Sequence, residues 1–265
     1  MYDRFERRIN YLRISVTDRC NLRCTYCMPA EGVPLLDHDD VLSLEEIRDF
    51  TATAVAMGVD KVRLTGGEPL VRRGIVDLVA MIAAIPGIRD FGMTTNGALL
   101  PRHAEGLKKA GLHRLNISLD SLEPERFKAI TRNGELAEVL AGIEAAREAG
   151  FERIKLNCVI DRSPDEPDAR QVAEYADRNG LEARFIRRMD TEKGVFSRVI
   201  GGDGGHCAEC NRLRLSCTGQ VYPCLFSDRT YSVRELGAVG AIRAAVEGKP
   251  ASGKVSRNLF CRLGG

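Results

Sequence analysis

Apolar and polar positions follow two alternating periods along the first 190 residues. Short runs rich in apolar and β-branched residues fit strands at 12–16, 61–65, 91–95, 114–119, 153–160 and 183–188. Between them, apolar residues return at helical spacing over 44–57, 76–84, 102–110, 137–149 and 169–179. Gly58, Gly111, Gly150 and Gly180 stand where four of these helices end, and glycine best accepts the left-handed backbone that follows a helix. Strand–helix–strand repetition with crossovers of this length predicts an α/β fold, a parallel sheet wrapped by helices. Six strands make a partial, TIM-like (β/α)6 barrel, whereas eight are needed for closure. Sites in such sheets lie beyond the carboxyl ends of the strands. There the chain carries Thr65-Gly66-Gly67-Glu68-Pro69, Thr94-Thr95-Asn96-Gly97 and Ser118-Leu119-Asp120-Ser121.

The pattern breaks after Met189. Residues 191–205 are rich in glycine and polar side chains and read as a connector. A β-hairpin (212–217 and 220–225), one helix (233–246) and a polar tail ending in Gly264-Gly265 follow. Two parts are therefore expected: a barrel over 1–190, and a connector, small cysteine-bearing domain and tail over 191–265.

The 265 residues are 44% apolar and 29% charged, enough for a sizeable core and unlike a disordered chain. Lysine plus arginine (39) nearly balance aspartate plus glutamate (37), and the net charge of +2 argues against a dedicated nucleic-acid binder. No apolar run approaches the ~20 residues of a membrane span, and the longest, 75–85, carries Asp77. Residues 1–8 are too charged for a signal-peptide core. A soluble, cytoplasmic protein is expected, and nine cysteines in a reducing compartment point to metal ligands or catalytic groups. Cys20, Cys24 and Cys27 cluster near the start, and Cys207, Cys210, Cys217 and Cys224 near the end. Two inorganic sites are expected, with Cys158 and Cys261 as ordinary residues.

Cys20, Cys24 and Cys27 have C-x3-C-x2-C spacing just after the first strand. Three thiolates on one loop grip three corners of a cubane [4Fe–4S] cluster and leave the fourth iron open. Zinc sites usually take four ligands, and the nearest later histidine, His38, lies eleven residues beyond Cys27. This spacing, with Tyr26 before the last cysteine, resembles the radical S-adenosylmethionine (SAM) enzymes. The resemblance implies SAM bound on the open iron and a 5′-deoxyadenosyl radical that abstracts hydrogen from the substrate. The longer string, from Arg13-Ile14-Ser15-Val16-Thr17-Asp18-Arg19 to Met28-Pro29, resembles the GTP 3′,8-cyclases of molybdenum-cofactor biosynthesis. Gly66-Gly67-Glu68-Pro69 matches that family's GGEP motif, in which glycines permit close backbone approach and the glutamate can accept a hydrogen bond from a ligand's ammonium. Thr94–Gly97 and Asn116–Ser121 match further motifs. By motif position the resemblance implies SAM contacts from Tyr26, Gly66, Gly67, Glu68, Ser118 and Met189. On its own, Met189 reads as a core gap-filler.

Cys207, Cys210 and Cys224 form C-x2-C-x13-C. The stretch resembles the auxiliary cluster of the same cyclases, a second three-cysteine [4Fe–4S] site whose open iron holds the guanine of the substrate. Cys217 or His206 as a fourth ligand fits the spacing too, as does a zinc ribbon. Arg212 and Arg214, two apart on a strand, point to one face, and guanidinium forks suit a triphosphate or purine edge.

The resemblance further implies substrate contacts from Arg13, Arg63, Thr94, Lys155, Arg184, Arg212 and Arg214, the last two also catalytic. Arg63, Lys155 and Arg184 lie within expected parallel strands, where charge is costly unless it lines a cavity. The family's double-glycine ending is matched by Gly264-Gly265. Two departures bear on the substrate: the chain is shorter than the family between Arg184 and Cys207, and Arg187-Arg188 replaces a glutamate and an apolar residue. The expected activity is cyclisation of GTP, in which a ribose 3′-hydrogen is taken and C8 of guanine is attacked. The expected cofactors are two [4Fe–4S] clusters and SAM, with an electron donor as partner. A homodimer is left open. A radical SAM enzyme cyclising another nucleotide, a peptide-modifying maturase and a non-catalytic metal-binding module are the alternatives.

Overall fold

Nine strands join in one sheet, in the order β6-β5-β4-β3-β2-β1-β7-β8-β9. The computed structural model describes residues 1–34 and 36–263. Strands β1 (Tyr11–Ser15), β2 (Lys61–Thr65), β3 (Asp90–Thr95), β4 (Arg114–Ser118), β5 (Ile154–Ile160) and β6 (Glu182–Arg187) run parallel in sequence order. Their crossovers carry α1 (Leu44–Ala56), α2 (Ile75–Ala83), α3 (Leu100–Lys109), α4 (Pro124–Thr131), α5 (Leu136–Glu148) and α6 (Pro167–Arg178). This is the expected partial barrel: among the described residues no strand ladder joins β6 to β9, so the sheet stays open.

Local chemistry explains the elements. In α1, Ser43 caps the helix by accepting from the Glu46 amide, and the Glu46 side chain returns the bond to Ser43. Proline opens α4 and α6 from their first turn, where its missing N–H costs nothing. α4 was not expected from the pattern: only Phe127 and Thr131 of its eight residues are buried.

The region after 190 differs from the expected hairpin module. β7 (Arg212–Leu215) pairs in parallel with β1, so it extends the barrel sheet. β8 (Gln220–Tyr222) and β9 (Tyr231–Ser232) continue it antiparallel, and residues 223–225 lie outside the ladder. α7 (Val233–Glu247) sends Ala241, Ile242, Ala245 and Val246 into the main core. The expected polar tail instead turns back as α8 (Phe260–Leu263), and Leu263 packs with Leu225 and Phe226.

The core lies between sheet and helices. Leu12, Ile14, Val62, Leu64, Phe91, Met93, Leu115, Ile117, Leu156 and Leu213 face it. The alternate positions face the concave side of the sheet, because successive strand side chains point to opposite faces. Those positions are polar: Tyr11, Arg13, Arg63, Asp90, Arg114, Asn116, Lys155, Asn157, Arg184, Arg212 and Arg214 all line the barrel lumen.

Candidate active site

The lumen is a cavity of about 370 Å³, within the range of small-molecule sites. Register builds it in rows. Arg13 lies beside Arg63 on one side and Arg214 on the other, and Tyr11 lies beside Lys61 and Arg212. Ten lysines and arginines line the cavity against two carboxylates, Asp90 and Asp203. Asp90 is already held by Arg114 in two bonds of 2.5 and 2.8 Å. The field shows in the titrating groups. Burial pushes the Tyr11 phenol up, yet Arg63, Arg13, Arg114 and Arg212 outweigh it and hold the phenol below its ordinary value. Burial and neighbouring cations pull Arg214 down to about 10, and burial does the same to Arg63. Both remain charged at neutral pH. The Nε atoms of Arg63 and Arg184 and the Asn116 amide nitrogen are buried without a hydrogen-bond partner among the described residues. Orphaned donors around a cationic cavity match a polyanion with many acceptor oxygens.

The expected basic residues thus meet in one place: Arg13, Arg63, Lys155, Arg184, Arg212 and Arg214 line the same lumen. Lys155 is also ion-paired with Glu182. Thr94 is not among the lining residues, although its hydroxyl is buried without a partner. Arg187 and Arg188 do not line the cavity, and Arg188 pairs with Asp161 at 2.8 Å. Their charge therefore lies outside the lumen. Tyr11, Arg114 and Lys249 were missed by sequence reasoning, and Asn116 was noted only as the start of a motif. For Tyr11, Arg114 and Asn116 the inward-facing register is what places them.

Beyond the carboxyl end of β1 lies the first cysteine loop. Gly67 donates to the Thr17 carbonyl at 2.9 Å and Glu68 to the Arg19 carbonyl at 2.8 Å, so the GGEP turn is laced to the residues leading into Cys20. A Cβ on Gly67 would stand 2.3 Å from the Arg19 oxygen, and one on Gly66 2.6 Å from the Thr17 oxygen. Only glycine permits this approach. Glu68 is 1% exposed. Its oxygens accept from Leu70 N at 3.0 Å, Thr95 Oγ1 at 2.7 Å and Asn96 N at 2.7 Å. Burial outweighs these bonds and raises its carboxyl to about 7. Tyr26 donates to Asp120 at 2.6 Å, and Asp120 also accepts from Val159 N at 2.8 Å. Ser118 ends β4 beside Asn157 of β5. Met189 lines the lumen and packs against the Leu225–Phe226–Leu263 cluster.

Burial pushes Cys20 up to about 11 and Cys24 up to about 12, and it raises Cys27 as well. Such thiols stay protonated at neutral pH, because no cation near them is strong enough to hold a thiolate. Soft donors of this kind suit iron–sulfur ligation, where the metal displaces the protons. Among the described residues no three His, Cys, Asp or Glu side chains converge as for a single metal ion. Cubane ligands need not converge, since each sulfur binds a different iron.

The second cysteine set sits at the other end of the lumen. Cys210 immediately precedes Asn211 and β7, whose first residue is in register with Tyr11 at the start of β1. β1 has five residues, so at ~3.3 Å per residue the two ends lie roughly 16 Å apart. Cys207, Cys210 and Cys224 all line the cavity, whereas Cys217 does not. Cys217 is buried at 1% exposure, and its carbonyl accepts from Leu42 N. His206 does line the lumen but is engaged by Arg198 and Glu209. Burial pushes Cys210 up, yet Lys249 and Arg212 outweigh it and leave the thiol below its ordinary value. The connector closes the lumen's side: Phe196, Ser197, Val199 and residues 203–205 line it, and Ile200 bridges to Phe185 of β6. Gly264 and Gly265 lie outside the described residues.

The Radical SAM superfamily model matches residues 14–176. The chain is 44% identical to a GTP 3′,8-cyclase of Geobacter sulfurreducens, over 88% of this chain and 86% of that protein. It is 42% identical to one from Alkaliphilus oremlandii with the same coverages. The first match spans 279 aligned positions while using only 88% of these 265 residues. The chain is therefore internally shorter than its relative. Streptococcus suis SuiB has a similar fold, with a TM-score of 0.60 at 15% identity over 86% of this chain and 64% of that one. A three-thiol loop and GGEP turn at one end of a cationic half-barrel, together with these matches, place the chain in the radical SAM superfamily, as a member of its GTP 3′,8-cyclase family.

Proposed function

We propose that this chain converts GTP to a 3′,8-cyclised nucleotide, with Cys20, Cys24 and Cys27 holding the radical-generating [4Fe–4S] cluster and Cys207, Cys210 and Cys224 holding a second. The observation that carries the reading is the lumen itself: ten cations and unpartnered buried donors lie between two cysteine sets. Cys20, Cys24 and Cys27 would hold a cluster that, with SAM and an external one-electron donor, would supply the hydrogen-abstracting radical.

The remaining work falls to the protein. Gly66, Gly67 and Glu68 hold the cysteine loop against β2, and Tyr26 is fixed by Asp120. Ser118 at the end of β4 and Met189 in the lumen wall are the further residues assigned to SAM. Arg13, Arg63, Lys155 and Arg184 neutralise the triphosphate, and the guanidinium forks allow bidentate bonds to its oxygens. Arg212 and Arg214 orient the nucleotide from β7, Arg214 being anchored by its bond to the Leu263 carbonyl at 3.1 Å. Thr94 offers its hydroxyl from β3. The connector and the Phe196–Phe226 pair wall off the side of the lumen and limit entry of water and competing hydrogen donors. Holding both reactants in one lumen converts an encounter into an intramolecular step.

No helix among the described residues is long and apolar enough to cross a membrane. Incubating the anaerobically reconstituted protein with SAM, dithionite and each of the four ribonucleoside triphosphates tests the reading. Cyclised product from GTP alone is expected. Deoxyadenosine formed without loss of GTP would remove the cyclase assignment and leave the radical chemistry standing.

A further inference from the structure

Lys249 is 1% exposed, among the most buried side chains of the protein. Its ammonium donates to the Arg212 carbonyl at 2.7 Å and the Pro223 carbonyl at 2.6 Å. Arg212 lies two residues after Cys210, and Pro223 immediately precedes Cys224. One cation therefore spans the hairpin and sets the separation of two cysteines. An ammonium has three donors; two go to these carbonyls, and Cys210 is the ionisable side chain that attracts it most.

A buried charge without a counter-charge is expensive. The attractive ionisable groups acting most strongly on Lys249 are Cys210 and Cys224, while Arg7 opposes it. Bound to a cluster, those two cysteines would supply the counter-charge as thiolates. Arg7 completes the arrangement. It donates to the Cys207 carbonyl at 2.7 Å and to the carbonyls of Pro250 and Ala251, and its own charge is balanced by Asp3 at 2.6 Å. Backbone within two residues of each of the three cysteines is thus anchored by one of two buried cations, and of the two only Lys249 lacks a carboxylate among its strongest partners.

Resting on the second-cluster reading above, we infer that Lys249 is a positioning residue of that cluster. It fixes Cys210 and Cys224 through the Arg212 and Pro223 carbonyls, and its charge beside them favours the reduced form. Reduction adds negative charge to an iron–sulfur site, so a fixed adjacent cation raises the reduction potential.

The test uses the full chain with Cys20, Cys24 and Cys27 replaced by alanine, so that only the second cluster is read. Iron analysis and an EPR-monitored potentiometric titration are run with Lys249 intact and as Lys249→Met and Lys249→Arg. With the lysine, about four irons per chain are expected. Lys249→Met should lower the midpoint by about 59 mV, a tenfold change in the reduced-to-oxidised ratio of a one-electron couple. Lys249→Arg, which keeps the charge, should restore most of it. If Lys249→Met does not hold iron, pulsed EPR of the lysine-containing protein labelled with ¹⁵N-lysine decides. A coupled lysine nitrogen supports the assignment and its absence overturns it. An unchanged midpoint in iron-loaded Lys249→Met overturns the role of the lysine alone. Absence of iron with Lys249 present overturns the second-cluster reading, and the lysine's role with it.

Discussion

Replacing Gly67 by alanine probes how tightly the barrel holds its cysteine loop. The added Cβ would lie 2.3 Å from the Arg19 oxygen, 2.7 Å from the Arg19 carbonyl carbon and 3.0 Å from the Asp18 oxygen. Carbon–oxygen contacts settle near 3.3 Å, so the two segments must part by about 1 Å. The atoms met are backbone and cannot rotate away. Parting them stretches the bonds from Gly67 N to Thr17 O and from Glu68 N to Arg19 O, each worth about 1 kcal/mol. With overpacking of about 1–3 kcal/mol, Gly67→Ala should destabilise the protein by about 3 kcal/mol. Arg19 adjoins Cys20, so the loop moves with it, and a misplacement of about 1 Å can cost roughly a hundredfold in rate. Urea denaturation and the rate of 5′-deoxyadenosine formation measure the two effects. Gly180→Ala is the control: that site has φ +67 but no atom within 4 Å. It should lose about 1 kcal/mol from backbone strain and keep its rate. A Gly67→Ala protein with an unaltered urea midpoint and a rate within threefold of the parent would refute the reasoning.

Three further outcomes are expected. Arg63→Met removes a cation whose Nε has no protein partner. GTP binding measured by calorimetry should weaken roughly ten- to hundredfold, the worth of one or two charge-assisted bonds, while deoxyadenosine formation without GTP stays unchanged. Cys224→Ala should lose about half the iron and Cys217→Ala none, and iron loss in Cys217→Ala would reverse the ligand choice. Glu68 supplies a pH signature. Its folded carboxyl titrates at about 7, above its ordinary value of 4.5, because of burial. The folded chain thus binds that proton more tightly, and its contribution is full below pH 4.5 and lost as pH rises through 7. The cost approaches about 3 kcal/mol by pH 8. Between pH 5 and 8 the urea midpoint should fall less in Glu68→Gln than in the parent, and equal slopes would count against this account.

The barrel was legible because its signals are local. Each strand is an apolar run, and the helices end at glycines such as Gly58 and Gly111. The first cysteine loop was legible for the same reason, its three cysteines falling within eight residues. α4 escaped because eight residues with two buried positions carry little periodicity. The parallel pairing of β7 with β1 escaped because it joins Arg212 to Tyr11 across some 200 residues, and nothing in a hairpin pattern says which edge it will extend. Arg63 and Arg184 drew notice as charges inside strands, yet Arg114 and Tyr11 face the same lumen and did not. Arg114 opens its strand, and Tyr11 passes for an ordinary aromatic. Lys249 has no sequence signal at all. Its meaning comes from the carbonyls of Arg212 and Pro223, which only the folded chain brings to it.

The account's central claim is that a radical made at one end of the lumen reaches a nucleotide held by the cations within it. GTP carrying deuterium at ribose C3′ tests this in a single turnover, with the 5′-deoxyadenosine read by mass spectrometry. The account predicts one deuterium in that product. Deoxyadenosine free of deuterium, formed while the labelled GTP is consumed, would contradict it.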